Sequence, residues 1–242
     1  MNTVKIDPKQ VKMVAHRGLS GIERENTNPA FVAAGNRSYY GIETDVHVTA
    51  DGQLVIIHDE TTKRVSMEAV DLNVEENDYS AVADVVLPDR DGSRNRQDIR
   101  IPLLSEYISI CKKYEKICVL EIKNRFVESD LVKVIEEYKQ ADYLDGVVFI
   151  SFCWENCVDL RRLLPEAKIQ WLTSYPVDEA KVAEMVEHRF DLDIFFKSLN
   201  KETVDLFHAN GLEVNCWTVD GKADGEAMVE MGVDYITTNI LE

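Results

Sequence analysis

No apolar run in this chain approaches the ~18 residues that a membrane-spanning helix requires. The opening MNTVKIDPKQVKM has no apolar core of the kind a signal peptide carries, and no lipid-attachment ending follows at the other end. These features predict a soluble protein without a stable membrane anchor. Positive charge is also scarce, with 27 Lys and Arg against 44 Asp and Glu and a formal net charge of -17. Nucleic-acid backbones are bound by clustered Lys and Arg that displace counterions, so a nucleic-acid partner is excluded. The five cysteines are odd in number and lack CxxC spacing. They read as reduced thiols of a cytoplasmic protein rather than as a disulfide or zinc framework.

An anionic small substrate remains compatible with this balance. The global field repels it, so its binding calls for a local positive site, most simply a divalent cation with one or two basic side chains. Residues Val14 to Asp59 contain such parts at the ends of short apolar runs: His16-Arg17, then Glu43 and Asp45, then His58-Asp59.

Taken in order, Val11 to Ala15 reads as a strand ending at His16, and Asn28-Pro29 as the start of a helix, with Asn as cap and Pro at its first position. Gly41 to Val48 has the two-residue period of a strand, with Glu43, Asp45 and His47 on one face. The further step along the strand makes His47 a rim residue. Asp51-Gly52 is a hairpin signal before a returning strand from Leu54 to Ile57. The polar stretch from Asp59 to Ile101 reads as an insertion over the mouth of a site, because long loops are uncommon without a role. Pro102 to Tyr114 reads as a helix, and Lys116 to Ile122 is an apolar strand that carries Glu121 and Lys123 at its end.

Four strand and helix pairs follow. The strands are Val147 to Ser151, Lys168 to Leu172, Asp193 to Phe196 and Glu213 to Thr218, and Tyr235 to Thr237 is the last. Eight strand positions alternating with helices are the arithmetic of an α/β fold, a (β/α)8 TIM barrel. The predicted barrel is one domain over 1–242, with a short insertion (approximately 59–101) after the second barrel strand and a truncated or missing last helix. Barrel active sites lie at the C-terminal strand ends. Here those ends carry His16, Glu43, Asp45, Glu121, Lys123, Ser151-Phe152, Lys197, Trp217 and Asn239.

Phosphodiester hydrolysis needs charge neutralisation, an activated nucleophile and a protonated leaving group. Glu43, Asp45 and Glu121 are hard oxygen donors suited to one divalent cation, Mg²⁺ or Ca²⁺. His16 and His58 suit general acid and base duty, and Arg17 and Lys123 the holding of phosphate oxygens. A tryptophan at a strand end, such as Trp217, also closes cores without further duty. His188 and His208 fall in helices and need no role.

The run HRG at 16–18, ENTNPAF at 25–31, ETDVHVTADGQLVIIHD at 43–59, IPLL at 101–104 and EIK at 121–123 resembles the glycerophosphodiester phosphodiesterases. ISF at 150–152, WTV at 217–219 and VDYITTN at 233–239 agree, so the resemblance spans nearly the whole chain. It implies a barrel of the phosphatidylinositol-phospholipase-C type, a divalent cation on Glu43, Asp45 and Glu121, and acid/base roles for His16 and His58. It also implies a small-molecule glycerophosphodiester substrate, hydrolysed to sn-glycerol 3-phosphate and an alcohol, with Lys123 beside the metal and Trp217 as an aromatic wall for the glycerol. The stretch after His58-Asp59 then corresponds to the family's insertion. Alternatives are a lysophospholipase D-type or other glycerol phosphodiester hydrolase, or a catalytically silent barrel that binds a phosphorylated ligand. The nucleophile, a substrate hydroxyl or water, is open. Two departures stand out: the glutamate expected in the helix after IP-x-L is displaced around Leu104-Ser105-Glu106, a matter of capping, and the missing last helix bears on stability or on assembly into a homo-oligomer.

Overall fold

The two-residue alternation seen in Gly41 to Val48 recurs in strand after strand, and it closes a barrel. In the computed structural model, which describes residues 2–242, eight parallel strands close on themselves: β1 (Lys12–Ala15), β2 (Gly41–Val48), β4 (Ile117–Ile122), β5 (Val147–Ser151), β6 (Lys168–Thr173), β7 (Asp191–Phe195), β8 (Val214–Trp217) and β9 (Tyr235–Thr238). Closure is made where Val14 of β1 pairs with Gly41 of β2 and Met13 with Ile236 of β9. One set of side chains, including Ile42, Val46, Leu120 and Ile194, packs outward against the helices. The alternate set, including Val14, Val119, Val148, Ile150 and Leu172, fills the barrel interior.

Strand β2 outruns the barrel. Only its first two residues pair with β1, while Val46 to Val48 pair antiparallel with the ninth strand, β3 (Leu54–Ile56). That hairpin turns the chain back so that His58 returns to the level of Asp45, whose carbonyl accepts a hydrogen bond from Ile57 N at 3.1 Å.

Seven helices accompany the strands: α1 (Asn28–Gly35), α3 (Leu104–Lys113), α4 (Glu128–Gln140), α5 (Trp154–Leu163), α6 (Glu179–His188), α7 (Lys201–Ala209) and α8 (Lys222–Met231). The sequence reading put no element at α4. Yet Leu131, Val134, Ile135 and Tyr138 form its buried stripe, with Glu128 and Asp130 in its first turn and Lys139 in its last, charges that complement the helix dipole. Helix α1 is capped one residue earlier than expected, by Thr27. In α3, Glu106 accepts from the Leu103 amide at 3.0 Å, which accounts for the displaced glutamate as a cap.

Among the described residues no helix follows β9. Val4 bridges in parallel to Leu241, Ile6 N donates to Glu242 O, and the Glu242 side chain accepts from Ser38 beside α1. Leu241 lies against Gly225 of α8. The paired terminal segments therefore fill the place between α8 and α1 that an eighth helix would take. Between β3 and α3, the chain holds the short α2 (Tyr79–Ala83) and its own apolar cluster of Val55, Ile57, Val65, Val74, Val82, Val85, Leu87, Ile99 and Ile101. Among the described residues, no helix is long and apolar enough to cross a membrane.

Candidate active site

Glu43 and Asp45 are two apart on β2, so both point into the barrel, and the register opposite Asp45 is Glu121 of β4. Oxygen atoms of the three carboxylates lie within 4.8 Å of one another, and all three residues are buried. Such crowding of like charge is unfavourable unless cations compensate it. Burial, then the charge of Asp45, push Glu43 well above the usual carboxylate range. The same two causes push Glu121 up to about 7. Asp45 moves the other way: burial opposes its ionisation, but Lys123 and then Arg17 hold it charged. Lys123 Nζ stands 2.8 Å from Glu121 and 3.5 Å from Asp45, and Arg17 Nε is 3.5 Å from the second Asp45 oxygen.

Arg17 takes a left-handed backbone conformation with φ of 53°, which turns its amide onto Glu43 Oε2 at 2.8 Å. Gly18 follows at φ of 73°, and a Cβ there would stand 2.7 Å from Ala30, so this turn tolerates only glycine. Asn26 donates to Asp45 at 2.7 Å and accepts from Thr44 at 2.8 Å.

The donor set fits a hard divalent cation. It is all oxygen, converges from two strands, and leaves Asp45 Oδ1 buried without a hydrogen-bond partner.

The two histidines flank this cluster with different backing. His16 Nδ1 meets the Asn239 side-chain oxygen at 2.8 Å, leaving Nε2 facing Glu43 at 3.9 Å. Burial, then Arg17, lower the His16 pKa to about 4. His58 Nδ1 instead meets the Asp59 carboxylate at 2.6 Å. Arg64 in turn holds Asp59, at 2.5 Å from Oδ2, and Glu25, at 2.8 Å from each oxygen.

Every expected site residue except Asp45 and Lys123 lines one cavity of about 80 Å³: His16, Arg17, Glu43, His58, Glu121 and Trp217, together with Phe152 and Asp193. Asp45 and Lys123 sit directly behind it through the ion pairs above. Trp217 packs edge-on against Phe152 at 5.7 Å between centroids. Lys197 is exposed and outside the cavity. His47 is not at the rim: it is fully buried, bonded to Glu75 at 2.9 Å, and its Nε2 donates to the His58 carbonyl at 3.3 Å. Its extra step along the strand lies under the β3 hairpin instead of in solvent. Asp193 went unnoticed because its strand begins at Asp191, two residues before the expected start.

Acids and imidazoles gathered at the C-terminal mouth of a parallel barrel define an enzyme, because that is where barrels build active sites. The profile of the glycerophosphoryl diester phosphodiesterase family matches residues 16–242; the chain belongs to that family and is with it a phosphoric diester hydrolase, a glycerophosphodiester phosphodiesterase. A glycerophosphodiester phosphodiesterase of Caldanaerobacter subterraneus subsp. tengcongensis is 31% identical over 240 residues, covering 94% of this chain and 93% of that protein. The solved phosphodiesterase of Oleispira antarctica, in complex with the product sn-glycerol-3-phosphate, superposes with a TM-score of 0.85 at 23% identity, over 98% of this chain and 96% of that one. A solved glycerophosphodiester phosphodiesterase from Parabacteroides distasonis has 26% identity and a TM-score of 0.76, over 95% and 93% of the two chains.

Proposed function

We propose that this enzyme hydrolyses small glycerophosphodiesters to sn-glycerol 3-phosphate and an alcohol in a divalent-cation-dependent reaction, with His16 as general base and His58 as general acid. The unequal backing of the two imidazoles carries the reading. An amide oxygen on His16 Nδ1 favours a neutral ring with its proton there, so Nε2 is free to accept one. At His58 burial lowers the imidazole pKa, and the Asp59 carboxylate on Nδ1 opposes that shift, favouring the protonated ring from which a proton can be given away. The attacking oxygen, from the substrate or from water, loses its proton to His16 Nε2, and the departing alkoxide takes one from His58 Nε2.

Glu43, Asp45 and Glu121 would hold the cation, Mg²⁺ or Ca²⁺, which when bound supplies Lewis-acid polarisation of the phosphoryl group. Arg17 and Lys123 neutralise the non-bridging oxygens, and Trp217 with Phe152 forms an apolar wall for the glycerol carbons. Residues 1–242 act as one catalytic unit, with 59–101 as its insertion. All five cysteines are free and four are buried.

The test is release of glycerol 3-phosphate from glycerophosphocholine and from a lysophospholipid, with and without chelator. Glycerophosphocholine should be turned over and chelator should stop it. His16→Ala and His58→Ala should each lower kcat by about 10²–10⁴ while leaving the melting curve in place. Retention of near wild-type turnover by His16→Ala removes that residue from the mechanism.

A further inference from the structure

One carboxyl in the cavity takes no part in the chemistry above. Asp193 stands in the middle of β7, is 1% exposed, and lines the same cavity as His16, Glu43, Glu121 and Trp217. Its register neighbours are Leu172 on β6, which is apolar, and Asn215 on β8. Asn215 is already engaged, donating to Gln170 at 3.0 Å and accepting from Thr237 at 3.1 Å. Asp193 Oδ1 therefore has no hydrogen-bond partner. Trp217 Nε1, on the wall of the same cavity, has none either. Buried polar atoms are seldom left unpaired, and those that are in a native site point to a missing partner.

The character of that partner follows from the surroundings. Arg17 and Lys123 gather at the carboxylate cluster, where both pair with Asp45, so an anionic group belongs there and not beside Asp193. Burial, reinforced by the charge of Glu121, raises the Asp193 carboxyl well above the usual carboxylate range, so a cationic head group gains little from it. An acceptor and an indole N–H donor between apolar walls (Ile150, Leu172 and Phe152) suit a neutral hydroxyl, which can accept from one and donate to the other. A cavity of about 80 Å³ holds a short hydroxylated arm and not a head group.

We propose that Asp193, together with Trp217 Nε1–H, is the specificity-determining contact for the terminal hydroxyl of the substrate's glycerol arm. The inference rests on the phosphodiesterase reading and deepens it. The secondary hydroxyl, one carbon nearer phosphorus, remains free for other duty. Sites built to bond a hydroxyl reject analogues that lack it, by far more than apolar contacts can.

The experiment compares glycerophosphocholine with the phosphocholine diester of propane-1,2-diol, which lacks only the terminal hydroxyl, in wild type, Asp193→Asn and Asp193→Ala. Wild type should prefer the glycerol substrate by about 100-fold in kcat/KM. Asp193→Ala should cut that ratio below about fivefold, mainly through KM, and Asp193→Asn, which keeps an acceptor and a donor, should restore most of it. A ratio untouched in Asp193→Ala, or equal losses on both substrates, overturns the proposal. Calorimetric binding of sn-glycerol 3-phosphate against propane-1,2-diol 1-phosphate reads the same preference without turnover. A wild type that turns over no glycerophosphodiester would thus sink the phosphodiesterase reading alone. One that turns over both diesters equally and binds both phosphates equally would sink only the role of Asp193.

Discussion

The Asn239 amide is held from both sides: its oxygen faces His16 Nδ1 at 2.8 Å, and its nitrogen donates to Asp220 Oδ2 at 2.6 Å. Asp220 can only accept, so the amide cannot flip, and His16 must carry its proton on Nδ1. Replacing Asn239 by Ala frees the ring to take the other tautomer. We expect kcat to fall by about 10- to 100-fold, a fraction of what the whole base contributes, with KM and melting temperature nearly unchanged in steady-state and thermal measurements.

Arg64 plays the corresponding part for His58, gripping Asp59 through Nε and Nη2 and Glu25 through Nη1 and Nη2. Arg64→Ala should lower kcat by about tenfold, Arg64→Lys should not restore it because an ammonium cannot fork, and added guanidinium ion should recover part of it. Arg100, which grips Glu106 in a comparable fork at the end of the insertion, supplies the control. Arg100→Ala should lower the melting temperature without changing kcat.

Crowded carboxylates make a prediction whose sign reverses with metal. In chelated protein, Glu121→Gln removes a charge that burial and Asp45 disfavour, so the variant should melt higher than wild type. With millimolar Mg²⁺ or Ca²⁺, wild type gains RT ln(1 + [L]/Kd) and the variant gains much less, so the order inverts. Differential scanning calorimetry in both buffers decides it; the same order in both would mean that the cluster holds no ion.

At the barrel base, burial raises Asp191 to about 6, with Lys168 opposing. Unfolded, the group titrates near the ordinary aspartate value of 3.8. Between these values the folded protein keeps a proton that the unfolded chain has lost, so stability falls as pH rises from about 4 to 6, by about 2 kcal/mol. Glu25, held down to about 2 by Arg64 and Arg17 against burial, acts oppositely: its contribution is present above pH 4.5 and is lost as pH falls toward 2. Urea unfolding across pH 4 to 7 should show the first decline, and Asp191→Asn should flatten it.

The barrel was legible because its strands repeat one local rule. Glu43, Asp45 and Glu121 could be read as convergent because alternation fixes which side a residue faces and strand ends fix its height. What was missed depends on long-range contacts. His47 looked like a rim residue until β3 folded over it. Helix α4 has its apolar stripe at Leu131, Val134, Ile135 and Tyr138 among many charges, a pattern that only packing against the barrel rewards. Asp193 was lost to a strand boundary two residues too late. The pairing of Val4 with Leu241 joins opposite ends of the chain, which no local period reveals.

The short strand β3 carries a further consequence. Leu54 and Ile56 face the main core while Val55 and Ile57 face the insertion's own cluster, so this strand is the seam between two separately packed bodies. His58, the proposed acid, sits one residue beyond the seam, whereas His16, the proposed base, follows β1 of the barrel wall. Rocking of one body against the other would change the distance between the two imidazoles, and a phosphodiester held between them would couple the bodies like an engaged clutch. Protection of the insertion's amides against hydrogen exchange should therefore rise when product is bound, with the substrate completing the rigidity that its own cleavage requires.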